Sequence, residues 1–129
     1  MSPDEIVFRR INAKQTWWIK PDGTVAPDAF VPNKGDVDGL SLVRAASAEE
    51  AARLGIKGKR FHAVPLKVGD MTGMTVIGDS DTHALVVGMT YANFDSVETQ
   101  GRAAKLSKVC GRASAAIEGA GDPPPKPAA

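Results

Sequence analysis

The chain has 129 residues, 16 lysines and arginines against 15 aspartates and glutamates, and a single cysteine. That length suits one domain able to bury about two-thirds of its unfolded surface; Cys110 cannot close an intrachain bridge, and no second sulfur exists for a Cys-rich zinc site. Near-balanced charge excludes the global attraction on which strongly basic nucleic-acid binders rely, and apolar runs as short as Ala84-Leu85-Val86-Val87 exclude a helical membrane span. The acidic start Met1-Ser2-Pro3-Asp4-Glu5 is unlike a signal peptide, so a reducing, cytoplasmic setting without a membrane partner is expected.

The β-branched and aromatic run at 6–11 predicts a strand whose adjacent residues Arg9 and Arg10 point to opposite sides. In the extended segment Thr16-Trp17-Trp18-Ile19 the two tryptophans cannot both face inward, so one is expected at the surface or beneath a loop. Pro21-Asp22-Gly23 is a tight turn. Residues 25–39 are rich in Pro, Gly, Asn and Asp and predict a loop pinned by Phe30, long enough that it should cover something. Alternation at 40–44 predicts a strand with Ser41 and Val43 on one face and Leu40, Leu42 and Arg44 on the other.

Ser47-Ala48-Glu49-Glu50 is a capping box opening a short helix that Gly55 stops. Strands are predicted at 60–68, 74–77 and 83–88. Pro65 should lie at an edge or a bulge, and the continuous apolar run 84–87 predicts the centre of the sheet. A second capping signature at Asp95 begins a helix running to about 117, with an apolar stripe of Val97, Ala103, Leu106, Val109, Cys110, Ala113 and Ile117. Arg102, Lys105, Lys108 and Arg112 recur at the same spacing as a basic stripe, which is either a solvated face or a track for a phosphate backbone. The domain is therefore expected over 1–118, with a disordered proline-rich tail over 119–129.

Chemistry has few candidates. His62 and His83 lack metal-ligand spacing, so neither a metal nor a cofactor is expected. Asp79-Ser80-Asp81-Thr82 precedes His83, and its acids either orient the imidazole for acid–base work or solvate a turn. Arg9, Arg10, Ser41 and Arg44 would form an anion-binding group if their strands are neighbours, the alternative being surface ion pairs. The exposed tryptophan, with Trp18 the candidate, can stack on a base or anchor a partner. No glycine-rich phosphate loop, nucleophile elbow or Cys-x-x-Cys pair occurs, which argues against P-loop hydrolysis, α/β-hydrolase chemistry and thioredoxin-like redox work.

At Phe8-Arg9-Arg10-Ile11, Pro21-Asp22-Gly23, Ala29-Phe30, Leu40-Ser41-Leu42 and His83-Ala84-Leu85-Val86 the chain resembles a group of small bacterial proteins with these motifs in the same order. The resemblance spans about the first 90 residues. It implies a bacterial or phage-borne cytoplasmic protein and gives weight to Arg9, Arg10, Ser41 and His83, without an activity to carry over. At the level of fold the chain is also similar to ADP-ribosyl-transfer domains: Arg9 or Arg10, Gly23 and Ser41 fit that pattern, whereas its late acidic strand residue is missing.

These readings predict an α+β fold with a mixed, mainly antiparallel sheet of about five strands, one face of which the short and the long C-terminal helix cover. The leading functional expectation is a non-catalytic module docking a protein partner, or nucleic acid through the basic stripe. The alternative is an enzyme acting on a nucleotide-type substrate, with Arg9, Arg10, Arg44 and Trp18 binding it and His83 and Ser41 at the chemistry.

Overall fold

A computed structural model describes residues 1–121. Eight regular elements follow in chain order: β1 (Ile6–Asn12), β2 (Gly39–Arg44), α1 (Ala48–Arg53), β3 (Arg60–Lys67), β4 (Val76–Gly78), β5 (His83–Val87), α2 (Val97–Val109) and β6 (Ile117–Glu118). The strands form one sheet in the order β4-β5-β2-β1-β3-β6, and every pair is antiparallel. The fold is α+β as expected, with six strands rather than about five. β1 and β2 hold the centre; the apolar β5 lies next to the β4 edge, and its Val87 is exposed.

Strand alternation divides the apolar residues between two layers. Val7 and Ile11 of β1 join Leu40, Leu42, Val64, Leu66, Ala84 and Val86 under α2, which contributes Ala103 and Leu106. Phe8 of β1 points the other way, joining Val43, Phe61 and Ala63 under Ala51 and Ala52 of α1. The helices thus cover opposite faces, not one: α1 immediately follows β2 and closes the smaller core, whereas α2 reaches the larger core.

Phe30 anchors the long loop as the sequence predicts. It sits fully buried at the end of a 3-10 turn, Pro27–Phe30, that packs with α2 on the larger core. The Asp22-Gly23 turn also forms: the Asp22 carboxylate accepts from the Thr24 amide (3.0 Å) and hydroxyl (2.7 Å), and Gly23 takes a φ of +86° that favours glycine. At α1 the Ser47 hydroxyl accepts from the Glu50 amide at 3.1 Å, while Glu50 reaches back to the Ala46 amide at 3.0 Å, one residue before the cap.

The C-terminal helix is shorter than its periodicity suggests. It begins after Ser96, whose hydroxyl accepts from the Thr99 amide, and ends at Val109 instead of near 117. Beyond it the chain runs along the outer edge of β3. There the Gly111 amide donates to the Pro65 carbonyl, the Ser114 amide to the Ala63 carbonyl, and the Ala113 amide to the Gly23 carbonyl. These tertiary bonds replace helical ones, and Ile117 becomes part of a strand. Pro65 turns its carbonyl to that outer side, so its missing N–H costs no bond with β1. Ordered structure continues past 118: the amides of Gly119, Ala120 and Gly121 donate to the carbonyls of Lys59, Arg53 and Gly55. The rest of the expected tail, 122–129, lies outside the described residues.

Phe30→Ala is expected to lower the unfolding free energy by about 3–5 kcal/mol, the cost of an aromatic-sized cavity. Urea denaturation checks this; a loss below about 1 kcal/mol would show that the loop is not held by this side chain.

Candidate functional site

A cleft of about 310 Å³ opens where β1 and β2 part. Arg10, Asn12, Ser41, Val43, Phe61 and His83 line it from the strands; Gln15 and Trp18 line it from the segment after β1, and Asn33, Gly35 and Asp36 from the loop before β2. β1 pairs with β3 along its whole length but with β2 only at Val7↔Arg44 and Phe8↔Val43. Past Phe8 the two central strands share no ladder bonds, so the polar backbone of β2 needs other partners.

Arg9 and Asp36 supply them. The Ser41 carbonyl accepts from Arg9 Nη1 at 2.9 Å, and the Ser41 amide donates to Asp36 Oδ1 at 2.8 Å. Arg9 Nη2 and Asp36 Oδ2 pair at 3.3 Å, with both side chains almost fully buried. Arg9 Nε donates to the Ala29 carbonyl (3.0 Å), and Asp36 Oδ2 also accepts from the Asn33 amide (2.8 Å). Burial pulls the Arg9 pKa below the usual arginine value, while the charge of Asp36 and its hydrogen bond oppose that. Arg9 is therefore a clamp between the strands and the loop. Each of its nitrogens donates to protein, and Arg9 also borders the cleft.

Arg10, the next residue, faces the cleft as alternation predicts. Its guanidinium carbon stands 5.7 Å from the centre of the Phe61 ring, within cation–π range. Opposite lies His83, the first residue of β5. A tight turn brings Asp79, four residues earlier, back beside it, and His83 Nδ1 and Asp79 Oδ1 are 2.6 Å apart. The Asp79 and Ser80 amides also donate to the His83 carbonyl, so this segment both shapes the turn and meets the ring. The hydrogen bond with His83, supported by the imidazole charge, holds the Asp79 carboxyl below the usual aspartate value. Nδ1 is thus the ring nitrogen turned to the carboxylate, and Nε2 is the other.

The other candidates divide. Trp17 and Trp18 lie on a 3-10 turn, Thr16–Trp18, rather than in an extended segment, with rings edge-on at 6.3 Å. Trp17 is 70% exposed, whereas Trp18 packs on the larger core and lines the cleft. Arg44, expected beside Arg9 and Arg10, does not line the cleft. It makes a bidentate pair with Glu5 (2.9 and 3.1 Å) and donates to the Ser80 carbonyl. His62 Nδ1 meets the Ser114 carbonyl at 2.8 Å, a structural role.

The basic stripe is broken. Arg112 lies beyond the end of α2 with its aliphatic stem against Gly23, and Lys105 Nζ is taken by the carbonyl and hydroxyl of Thr72. Arg102 is half-buried, leaving Lys108 as the exposed cation among these four on the helix. Gly23 packs against Arg112, whereas Arg10 and Ser41 line the cleft. Among the described residues no group of three or more His, Cys, Asp or Glu side chains could hold a metal, and no helix is long and apolar enough to cross a membrane.

Sequence reasoning missed Asp36. The loop carries Asp28, Asp36 and Asp38, and no local pattern distinguishes the one that turns inward. Asn12, Gln15 and Asn33 were also missed, since isolated amides at a strand end or in a loop carry no signal of their own.

Asp36→Ala leaves the Arg9 guanidinium buried without its counter-charge and is expected to cost about 3–5 kcal/mol in thermal or urea unfolding. The double replacement Arg9→Met with Asp36→Leu is expected not to restore stability, because the Ser41, Asn33 and Ala29 backbone groups stay unsatisfied. Full recovery in the double variant would show that the pair serves only itself. Separately, Asp79 is expected to titrate below the ordinary aspartate value of about 3.9 in a carboxyl NMR experiment, and His83→Ala to bring it back up. Because the folded-state pKa is the depressed one, the stabilisation from this pair is present above the ordinary value and is lost as pH falls through the depressed one. An Asp79 titration indifferent to His83→Ala would disprove the coupling.

No family model matches the chain, and no curated protein or solved structure matches it.

Proposed function

We propose that this domain binds a nucleotide-type small molecule in the cleft between β1 and β2 and acts on it by acid–base chemistry through His83. The observation that carries this reading is the meeting of Arg10, Ser41, His83 and Trp18, from four separate stretches of chain, on the wall of one cavity. Each offers something such a ligand needs. Arg10 provides a planar fork for an anionic oxygen. The Ser41 hydroxyl gives one further hydrogen bond, and the Trp18 ring an aromatic wall. His83, backed by Asp79, accepts or returns a proton at Nε2. Arg9 and Asp36 take no part in binding; they hold the strands apart so that the cleft exists.

The docking-module reading has its own support. Trp17 is 70% exposed beside Trp18, and the rings of Tyr91 and Phe94 stack at 5.5 Å while each remains about two-fifths exposed. A protein partner would use such aromatic anchors. The cleft reading is preferred because it also accounts for the polar residues that alternation turns toward one cavity.

A panel of nucleotides and dinucleotides is expected to contain at least one member that raises the melting temperature by several degrees at saturating concentration. In a Trp17→Phe variant, where Trp18 is the sole indole, the same ligand is expected to change the tryptophan emission. Absence of both effects across the panel, together with a stoichiometric protein complex recovered from lysate, would replace this reading with the docking module.

A further inference from the structure

Taking the cleft as a ligand site, we infer that it holds its ligand by a sugar ring, through neighbouring hydroxyls, rather than by a base or a phosphate. The polar groups that the fold leaves unused on the wall point to this. Asn12, Gln15, Asn33 and Ser41 all border the cavity, and Trp18 adds an aromatic surface. Asn12 Oδ1 accepts from the Lys14 amide and Asn33 Oδ1 from the Gly35 amide, each at 3.0 Å. Those bonds fix both asparagines and leave each NH2 end without a partner among the described residues. The backbone of Ser41 is taken at both its polar groups, by Arg9 and Asp36, whereas its hydroxyl makes no hydrogen bond among the described residues, and neither does the Gln15 side chain.

The match to a sugar is one of hydrogen-bonding type. Every unused group is uncharged: two amide donors, one complete carboxamide and one hydroxyl. A sugar hydroxyl both donates and accepts, so adjacent hydroxyls can meet any of these, whereas a base presents a fixed order of donors and acceptors along an edge. The groups also come from the end of β1 and the turn after it, from the loop before β2 and from β2 itself, which suits a ring substituted around its circumference. The apolar C–H face of such a ring packs on the negative face of an aromatic system. Trp18 offers that face, since the Phe61 ring on the same wall has the Arg10 guanidinium over it at 5.7 Å. Backbone bonds hold this wall in place: the Asn12 carbonyl accepts from the Gln15 amide (2.9 Å), the Gln15 carbonyl from the Trp18 amide (3.1 Å), and Asp36 Oδ2 from the Asn33 amide (2.8 Å). About 310 Å³ stands at the small end of small-molecule sites, roughly 300–1,000 Å³, with room to enclose one sugar ring and one substituent.

The test is titration of the full chain, by calorimetry and by ligand-observed NMR, with adenosine monophosphate, dideoxyadenosine monophosphate, which lacks both free ribose hydroxyls, adenine, ribose and methyl glucoside. Adenosine monophosphate is expected to bind about tenfold or more tighter than its dideoxy analogue, and adenine no tighter than that analogue. Gln15→Ala and Ser41→Ala remove side chains that bond nothing within the protein, so each is expected to keep the melting temperature while narrowing the gap between the two nucleotides by roughly threefold or more. Ribose or methyl glucoside binding as tightly as adenosine monophosphate, with the same loss in both variants, would uphold the inference and assign the ring to a free sugar. Equal binding of the two nucleotides with neither free sugar bound, or a gap that both variants leave intact, would overturn the inference while leaving the cleft a ligand site. No binding by any of the five probes would overturn it together with the reading of the cleft on which it rests.

Discussion

The ion pair between Arg9 and Asp36 is the constraint around which this molecule is arranged. A sheet whose two central strands stop pairing after two residues leaves backbone groups facing each other without partners, and a buried unsatisfied amide or carbonyl costs about 1–3 kcal/mol. Here a guanidinium and a carboxylate occupy the gap and satisfy both polar groups of Ser41, so β2 meets side chains where β1 would have stood. The same pair fastens the loop before β2 through Ala29 and Asn33. Buried pairs often add little net stability, since desolvation offsets attraction. This one is retained for what it bridges rather than for its own charge interaction.

The parting of the strands creates the cleft, and strand alternation stocks it. On β1, Arg9 turns into the larger core as the clamp, and Arg10, one residue later, turns to the opposite side beside Phe61. On β2 and β5 the residues that share Arg10's side are Ser41, Val43 and His83, which the register Val43↔His83 sets next to one another. α1 covers only the Phe8, Val43 and Ala63 part of this face. The polar ends beyond it stay open to solvent, bounded by the Trp18 turn and the Asn33–Asp36 stretch. A single-residue change of register in β2 would send Ser41 into the larger core and remove the cavity wall.

The charges of the site are as economical as its geometry. One arginine serves structure, one faces the cavity, and the histidine is oriented by a carboxylate that a four-residue reversal carries back beside it. The C-terminal helix plays no part in this arrangement. The four cations expected as one stripe are dispersed among a contact with Thr72, a partly buried position, the exposed Lys108 and, for Arg112, a segment beyond the helix end.

Local chemistry fixed much of this in advance. The strands at Arg9-Arg10, Ser41 and His83, the Asp22-Gly23 turn, the Phe30 anchor and the Ser47 cap are all short-range properties: side-chain period, turn residues and capping hydroxyls act within a few positions. For the same reason the pairing of opposite sides at Arg9 and Arg10 was legible, as was Asp79 as a candidate orienter of His83. What depends on partners distant in the chain was not. The end of α2 at Val109 is set by hydrogen bonds to Gly23, Ala63 and Pro65, and the placement of the two helices on opposite faces by which core each reaches. Likewise Arg9 is a clamp because Asp36, 27 residues away, reaches it across the split sheet. Periodicity assigns a side chain to a face; tertiary structure alone assigns its partner.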